Sequence, residues 1–468
     1  MVERVRSQRV LLRDCDKFVI APAELSIREG CIVGIERLEP EPAAASPRES
    51  LLDLGERLLT PAFVNAHTHL ALAFLRGVDG SRFQRNLVED LYFHFETRLS
   101  PGDVRAFARM GAYESLLSGV GTVWDHYYGD LALAEALVDT GLCGVIAPTL
   151  QDLSGPGAGS HERAIECTLE IAGSERLRAA GVFAALGPHA TDSVSPELLR
   201  EVAELAGRHH LPVHMHLAQS LDELKRVAAR QGCSPVEALE RAGLLERDLV
   251  LAHAIFCRRA DLARLSPQRH SLVFCPSSQL QFGFPADVTV WSQLGMRWVV
   301  ATDCASSNDS MGLQKELRFC QGAATYRITG SAAYETFLTS GSVSDAERTW
   351  SERTGSLQSD QAHSTSEQLL GRVLQLPGAL HPSFRAGVIE MGALANLIAW
   401  DVEHPAFWPG LDLVRGLALS DPSQAIHTVL VRGEPVGAVG RPSTLLASEA
   451  YREARREAQE RLEMLFRT

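Results

Sequence analysis

Between residues 60 and 330 short apolar runs alternate with amphipathic stretches of helical period. The runs predict strands at 60–69, 121–125, 144–149, 182–186, 212–216, 249–253, 271–275 and 298–303. The stretches between them predict helices that include 103–117, 131–139, 196–208, 235–242 and 311–324. Ser195 followed by Pro196 is a favourable helix opening, with the serine as cap and the proline in the first turn. Eight strands alternating with helices is what a (β/α)8 TIM barrel of the α/β class requires. An open doubly wound sheet is the rival, but no G-x-G-x-x-G follows the first strand.

The flanks carry a different rhythm. Before the barrel pattern come short strand-like runs at 9–12, 17–20, 24–27 and 31–35, punctuated by turn residues such as those at 28–30. After it, residues 339–367 are rich in Ser, Thr, Gln and charge with little periodicity, which predicts a long surface loop or a poorly ordered excursion. Strand-like runs resume at 387–392, 397–401 and 428–433 and are placed to complete the β-unit begun at the N-terminus. Residues 448–466 carry Tyr451, Ala454, Ala458, Leu462 and Leu465 among many charges, an amphipathic helix packed on the body.

Candidate chemistry sits at the ends of the predicted strands. His67-Thr68-His69 closes the first run, and side chains two apart on a strand share one face, so both imidazoles aim at one point. Two ligands alone make a weak metal site, and three or four are needed. The remaining runs supply them: His214-Met215-His216 after 211–213, His253 at the end of 249–253, and Asp303 at the end of 298–303. Barrel active sites lie at the C-terminal ends of the strands, so His67, His69, His216, His253 and Asp303 converge on one mouth. Nitrogen and oxygen ligands of this kind suit a single zinc or iron ion.

Composition narrows the setting without changing that picture. The 468 residues suffice for one large domain plus a smaller one, or for two ordinary ones, and 45% hydrophobic with 22% charged residues is ordinary for a soluble globular enzyme. A net charge of −13 with interspersed signs argues against a nucleic-acid or anionic-membrane surface. Nine cysteines without a C-x-x-C pair make a disulfide framework unexpected and a reducing cytoplasm the simplest home. Cys275 and Cys304 stand beside strand ends as potential ligands or nucleophiles, although free cysteine more often serves as a small buried hydrophobe. No stretch approaches the ~18 apolar residues of a membrane span, and residues 1–6 lack the apolar core of a signal peptide.

Taken with these motifs, residues 60–70, 187–190 with 195–199, 275–279, and 301–303 through 306–308 resemble the strand-one, strand-four, strand-seven and strand-eight signatures of the amidohydrolase superfamily. The resemblance is to its aminohydrolase branch, which includes S-adenosylhomocysteine and methylthioadenosine deaminases, guanine deaminases and triazine (chloro)hydrolases. It implies a (β/α)8 barrel with a small composite β-sandwich from both chain ends, in agreement with the reading of the residues: barrel at 59–370, β-sandwich from 1–58 and 371–440, and a C-terminal helix at 441–468. It implies one divalent ion, Zn2+ ahead of Fe2+, held by His67, His69, His216 and Asp303. His253 would contact the attacking water or the substrate, Asp303 would take the water's proton, and His189 would touch the substrate. The same roles make chemical sense, since a cation lowers the pKa of bound water to ~7 and a carboxylate and an imidazole can move a proton and stabilise the intermediate. His214 is expected one layer below the metal, and Asp125 and His126 close strand two, where they could line the pocket. The resemblance also admits a homodimer.

One departure bears on the reaction. Family deaminases carry glutamate three residues after the strand-five histidine, where it protonates the ring and shuttles a proton to the leaving amine. Here that position is Gln219, whose amide hydrogen-bonds but cannot take up and release a proton. Loss of such a group typically costs ~10²–10⁴-fold in rate. Glu223, one turn further, is expected to point away. A second departure is Gln279, where many relatives have asparagine. The leading expectation is a metal-dependent hydrolytic deaminase of an amino-substituted purine, pterin, pyrimidine or triazine, with Gln219, His253 and Asp303 at the reacting atoms and His189, Gln219 and His253 on the substrate. The alternatives are a hydrolase with another leaving group, such as chloride or a cyclic amide, and a member that binds a ligand without turnover. Specificity is expected in the loops 72–95, 127–129 and 151–160.

Overall fold

The computed structural model describes residues 2–14, 17–39, 50–78, 88–281, 283–325, 331–360 and 364–467. Eight parallel strands form the central ring: Phe63–Thr68, Val120–Tyr127, Cys143–Leu150, an interrupted fourth at Val182–Ala184 and Gly187–Pro188, then Val213–Leu217, Leu249–His253, His270–Phe274 and Arg297–Val300. Two single parallel bridges, Leu186 with Val213 and Thr68 with Asp303, close the ring into a (β/α)8 barrel. The second, third, fifth, sixth and seventh strands are buried at every residue, which is why they read as continuous apolar runs rather than alternating ones.

The helix opened by Ser195 begins where its cap predicts. Ser195 accepts the Leu198 N–H with Pro196 next to it, and the helix Pro196–His209 buries Leu198, Leu199, Val202 and Ala206 against the barrel. Ser100 and Ser234 form full capping boxes with Asp103 and Glu237.

Both chain ends build one eight-stranded sheet. Its order runs Glu434–Pro435, Ile426–Val431, Leu397–Trp400, Leu58–Pro61, Arg4–Asp14, Lys17–Arg28 and Cys31–Arg37, with Leu51–Asp53 also on Arg4–Asp14. Val5, Val10, Leu25, Ile32, Leu59, Leu397 and Leu430 form its own core. The segment joining it to the barrel is hydrogen-bonded beneath the ring: Arg372 O accepts the Val300 N–H and Val373 O accepts the Val64 N–H.

Several expectations change here. The first predicted strand, 60–69, is two pieces: Leu58–Pro61 pairs in the end sheet and Phe63–Thr68 in the barrel, while the Ala62 N–H between them goes to Asn396 O. The runs at 17–20 and 24–27 are one strand, Lys17–Arg28, that passes through Pro22. The partner strand bulges between Ser7 and Val10 at that point, so the missing proline N–H falls where the ladder is already broken. Residues 387–392 form turns, not a strand, although Ile389 is buried in the sheet core. Most of the described part of 339–367 is helical rather than loop: Ser331–Ser340, Val343–Asp360 and Ser366–Gly371 are helices, and 361–363 lie outside the described residues. The C-terminal helix Glu449–Arg467 lies on Pro101–Leu117, with Arg461 Nη1 3.0 Å from Asp103 Oδ1, Arg109 paired to Glu457, and the Tyr113 and Tyr451 rings 5.2 Å apart.

Candidate active site

The two imidazoles of the first strand meet those of the fifth and sixth at the C-terminal mouth of the barrel. The ring of His67 lies 4.8 Å from His69, 4.9 Å from His216 and 5.3 Å from His253. His69 Nε2 approaches His216 Nε2 to 3.3 Å, and Asp303 Oδ1 lies 3.5 Å from His69 Nε2 and 3.8 Å from His67 Nε2. Two overlapping sets have ligand atoms within 4.8 Å of one another: His67, His69 and Asp303, and His67, His216 and His253.

The outer nitrogens decide what faces the centre. His69 Nδ1 meets the His126 carbonyl oxygen at 2.5 Å and His216 Nδ1 meets the His189 carbonyl oxygen at 3.0 Å. A carbonyl only accepts, so each ring carries its proton on Nδ1 and turns a bare Nε2 lone pair inward. Two lone pairs facing each other at 3.3 Å repel unless a cation lies between them. His67 Nε2 is likewise buried without a hydrogen-bond partner, while its Nδ1 sits 2.9 Å from His214 Nε2. Burial pushes the His67 and His216 rings well below the ordinary 6.5, with neighbouring imidazoles adding to the shift. It lowers His69 and His253 too, offset in part by the Asp303 charge. Neutral, inward-facing imidazoles with a carboxylate beside them fit a divalent metal ion.

The carboxylate is held from both sides. Asp303 Oδ1 accepts the Cys304 N–H at 2.8 Å, and Oδ2 accepts the Ser278 hydroxyl at 2.7 Å. Its backbone is left-handed at φ 62°, as are those of His253 at 75°, Ala254 at 46° and Ala218 at 47°. Non-glycine residues in that region are uncommon and cluster at functional sites.

A cavity of about 460 Å³ opens above this cluster. Tyr92, Phe93, Tyr127, Tyr128, Phe256 and Phe284 supply aromatic wall, with His189, Gln219, His253, Gln279 and Asp303 among its polar groups. His189 Nδ1 is 2.9 Å from Ser193 Oγ, and burial lowers the ring to about 3. Gln219 is half-buried, and its backbone N–H donates to Glu223 Oε2 at 2.9 Å. Glu223 is buried behind it, with Oε1 also on the Thr191 hydroxyl at 2.6 Å, so this carboxylate points away from the cavity as expected. His214 lies one layer below His67, again as expected. Of the strand-two pair, His126 lines the cavity, whereas Asp125 turns inward, accepts the Leu70 N–H at 2.6 Å and is raised to about 8 by burial.

Among the three expected specificity loops, residues 79–87 of 72–95 lie outside the described residues. Val88, Glu89, Tyr92 and Phe93 of that loop, Tyr127 and Tyr128 of the second and Ser154 of the third line the cavity. Sequence reasoning missed Glu96, which lines it and is raised to about 8 by burial. It also missed Ser278 as the partner of Asp303. Glu96 stands one residue beyond the flagged loop with no spacing to a ligand, so nothing in the linear pattern marks it. Cys304 is buried in the cavity wall with its Sγ 3.8 Å from Tyr92 Oη, and Cys275 is fully buried.

A metal-fitting cluster at the mouth of a (β/α)8 barrel, under an aromatic-walled cavity, has the form of a barrel enzyme's active site. The Amidohydrolase family profile matches residues 58–333, more than half of the sequence, and the chain belongs to that family. It is 28% identical over 450 residues to a 5-methylthioadenosine/S-adenosylhomocysteine deaminase of Moorella thermoacetica, covering 95% of this chain and 97% of the relative. Among solved structures it resembles a zinc-bound adenosine deaminase from Xanthomonas campestris, with TM-score 0.76 at 19% identity over 98% of both chains. It also resembles the zinc-complexed atrazine chlorohydrolase of Arthrobacter aurescens, with TM-score 0.75 at 20% identity over 97% of this chain and 99% of that one.

Proposed function

We propose that this chain is a metal-dependent hydrolytic deaminase of an amino-substituted nitrogen heterocycle. Full-length similarity to relatives named as deaminases of adenine-bearing thioethers puts purines first among substrates. The observation that carries the reading is the set of inward, unprotonated Nε2 atoms beside Asp303 at the floor of the aromatic cavity. His67, His69, His216 and Asp303 would hold one divalent ion, with zinc favoured by the nitrogen-rich ligand set and by the zinc in similar structures. Such an ion, when bound, lowers the pKa of water to ~7 and supplies a nucleophile at neutral pH.

The chain's own residues would do the rest. The aromatic walls hold a flat ring by its faces. Asp303, fixed by Ser278 and the Cys304 N–H, takes the proton of the attacking water at the oxygen that faces the histidines. His253 stabilises charge that develops on the attacked carbon's oxygen. Gln219 hydrogen-bonds the ring but transfers no proton. His189 borders the substrate from the fourth strand end. Among the described residues no helix is long and apolar enough to cross a membrane, and a cytoplasmic enzyme acting on a small molecule is the matching setting.

A second reading has its own support in Gln219: a leaving group such as chloride needs no proton. The test is ammonia release by zinc-reconstituted protein from 5'-methylthioadenosine, S-adenosylhomocysteine, other amino-purines, pterins, pyrimidines and triazines, with chloride release from chlorotriazines measured alongside. Ammonia that disappears in His67→Ala supports the deaminase. Chloride without ammonia overturns it in favour of the second reading, and silence from both in fully metallated protein overturns both.

A further inference from the structure

We propose that Gln279 fixes His253 as the tautomer protonated on Nε2, which makes His253 a hydrogen-bond donor to the reacting oxygen and keeps it out of the metal's ligand set. The proposal deepens the deaminase reading and rests on it for the identity of the reacting oxygen, but the tautomer itself is a property of the free site.

Gln279 is buried, and its Oε1 accepts the buried Ala286 N–H at 2.8 Å. With the oxygen committed, the NH2 end must be the one that faces His253 Nδ1, at 3.5 Å. An amide NH2 only donates, so Nδ1 must be the bare nitrogen, and the single proton of the neutral ring goes to Nε2. The contact is long and weak, but its sign is what matters. The other tautomer, or the imidazolium, would set an N–H against an N–H in a buried site. Turning the amide over would instead leave the Ala286 N–H facing the NH2.

His69 and His216 show the opposite arrangement a few ångströms away. Their Nδ1 atoms meet carbonyl oxygens, and their Nε2 lone pairs face inward. Burial is common to all of these rings, so the second partner alone separates ligand from donor. It also chooses between the two overlapping metal sets in favour of His67, His69 and Asp303, with His216 closing the group through its 3.3 Å approach to His69. His253 lies stacked on His216, ring centroids 5.4 Å apart and 8° from parallel, facing the same cavity with the other protonation.

The test uses zinc-loaded protein with 15N-labelled histidine rings and two-bond 1H–15N spectra, the His253 signals being assigned by their loss in His253→Asn. Wild-type protein is expected to show a protonated Nε2 and a bare Nδ1 at His253. Gln279→Glu keeps the size and the acceptor for Ala286 but offers Nδ1 an acceptor, so the pattern is expected to invert with the zinc content unchanged. With a substrate from the panel, kcat is expected to fall ~10²–10³-fold, the usual effect of losing one such donor, while KM moves by less than about tenfold. A wild-type ring protonated on Nδ1 overturns the proposal, and so does a pattern that Gln279→Glu leaves unchanged. An inverted pattern with undiminished kcat overturns the donor role. The spectra need no substrate, so they decide the tautomer even where the panel releases no ammonia.

Discussion

Replacing His214 with phenylalanine isolates one hydrogen bond beneath the histidine cluster. His214 is buried and edge-on to Trp124 and His126, with ring centroids 5.7 Å from each, so a phenyl ring fills its space without opening a cavity. With His67 Nε2 turned to a metal, its Nδ1 carries the proton, and what is lost is the acceptor 2.9 Å away. The His67 N–H is then left unsatisfied at a cost of ~1–3 kcal/mol, or its proton moves to Nε2 and removes the lone pair that faces the cluster. By either route zinc affinity is expected to fall ~10–100-fold, about 1.4–2.7 kcal/mol, as outer partners of metal-bound histidines usually do. The assay titrates zinc into apo-protein against a chelator of known affinity, with melting of the apo forms to separate binding from folding. His214→Gln restores an acceptor and is expected to lose less. Wild-type affinity in His214→Phe, or equal loss in both variants, would refute the reasoning.

Three further expectations follow from the same geometry. Gln219→Glu supplies the missing proton carrier on a backbone already anchored by Glu223 and is expected to raise kcat for ammonia release about 10²-fold; an unchanged rate at full metal occupancy counts against it. Ser278→Ala frees Asp303 Oδ2 from its 2.7 Å bond, removing ~1.5–3 kcal/mol of charged hydrogen bond. It should lower kcat more than tenfold with zinc still bound, and equal kinetics would sink that role. Burial raises Glu96 to about 8 from the ordinary 4.5, so between those values the unfolded chain gives up a proton that the folded one keeps. Stability therefore falls as pH rises through that window and levels off above it, by a few kcal/mol at most. Glu96→Gln removes the dependence, so its melting temperature should gain on wild type from pH 5 to 8.5; parallel curves would contradict this.

The cluster at the barrel mouth was legible because residues two apart on a strand, and residues that end apolar runs, leave a pattern that survives in one dimension. His67 and His69 are two apart, and His216, His253 and Asp303 each follow an apolar run. The ring of parallel strands was legible for the related reason that two-sided burial leaves unbroken apolar runs. Boundaries were not. Nothing in the run 58–69 marks Ala62 as the point where the chain leaves one sheet for another, because both sheets bury it equally. Helices Ser331–Ser340 and Val343–Asp360 escaped because much of their described surface is exposed, so they carry little of the apolar stripe that gives a helix its period. Glu96 escaped because it neither ends an apolar run nor stands at a ligand spacing, and only the folded cavity wall marks it.

Asp303 shows why a residue's arrival at the barrel mouth is legible while its geometry is not. The pattern 298–303 reads as one strand, yet the strand ends at Val300 and Asp303 stands beyond it with φ 62°. Alternation along a strand says nothing about the direction of a side chain on a left-handed residue. What fixes Asp303 is its N–H on His67 O at 3.1 Å, a bond to the strand that carries two of the histidines. The sixth strand repeats the device: Ala254, next to His253 and also left-handed, donates to Leu217 O at 2.8 Å. A left-handed residue costs ~1–2 kcal/mol, and both Asp303 and Ala254 are tied across to the neighbouring strand, so the strain and the bonds that hold it occur together. Single-strand patterns predict which residues arrive at the mouth; the cross-strand bonds set where they point.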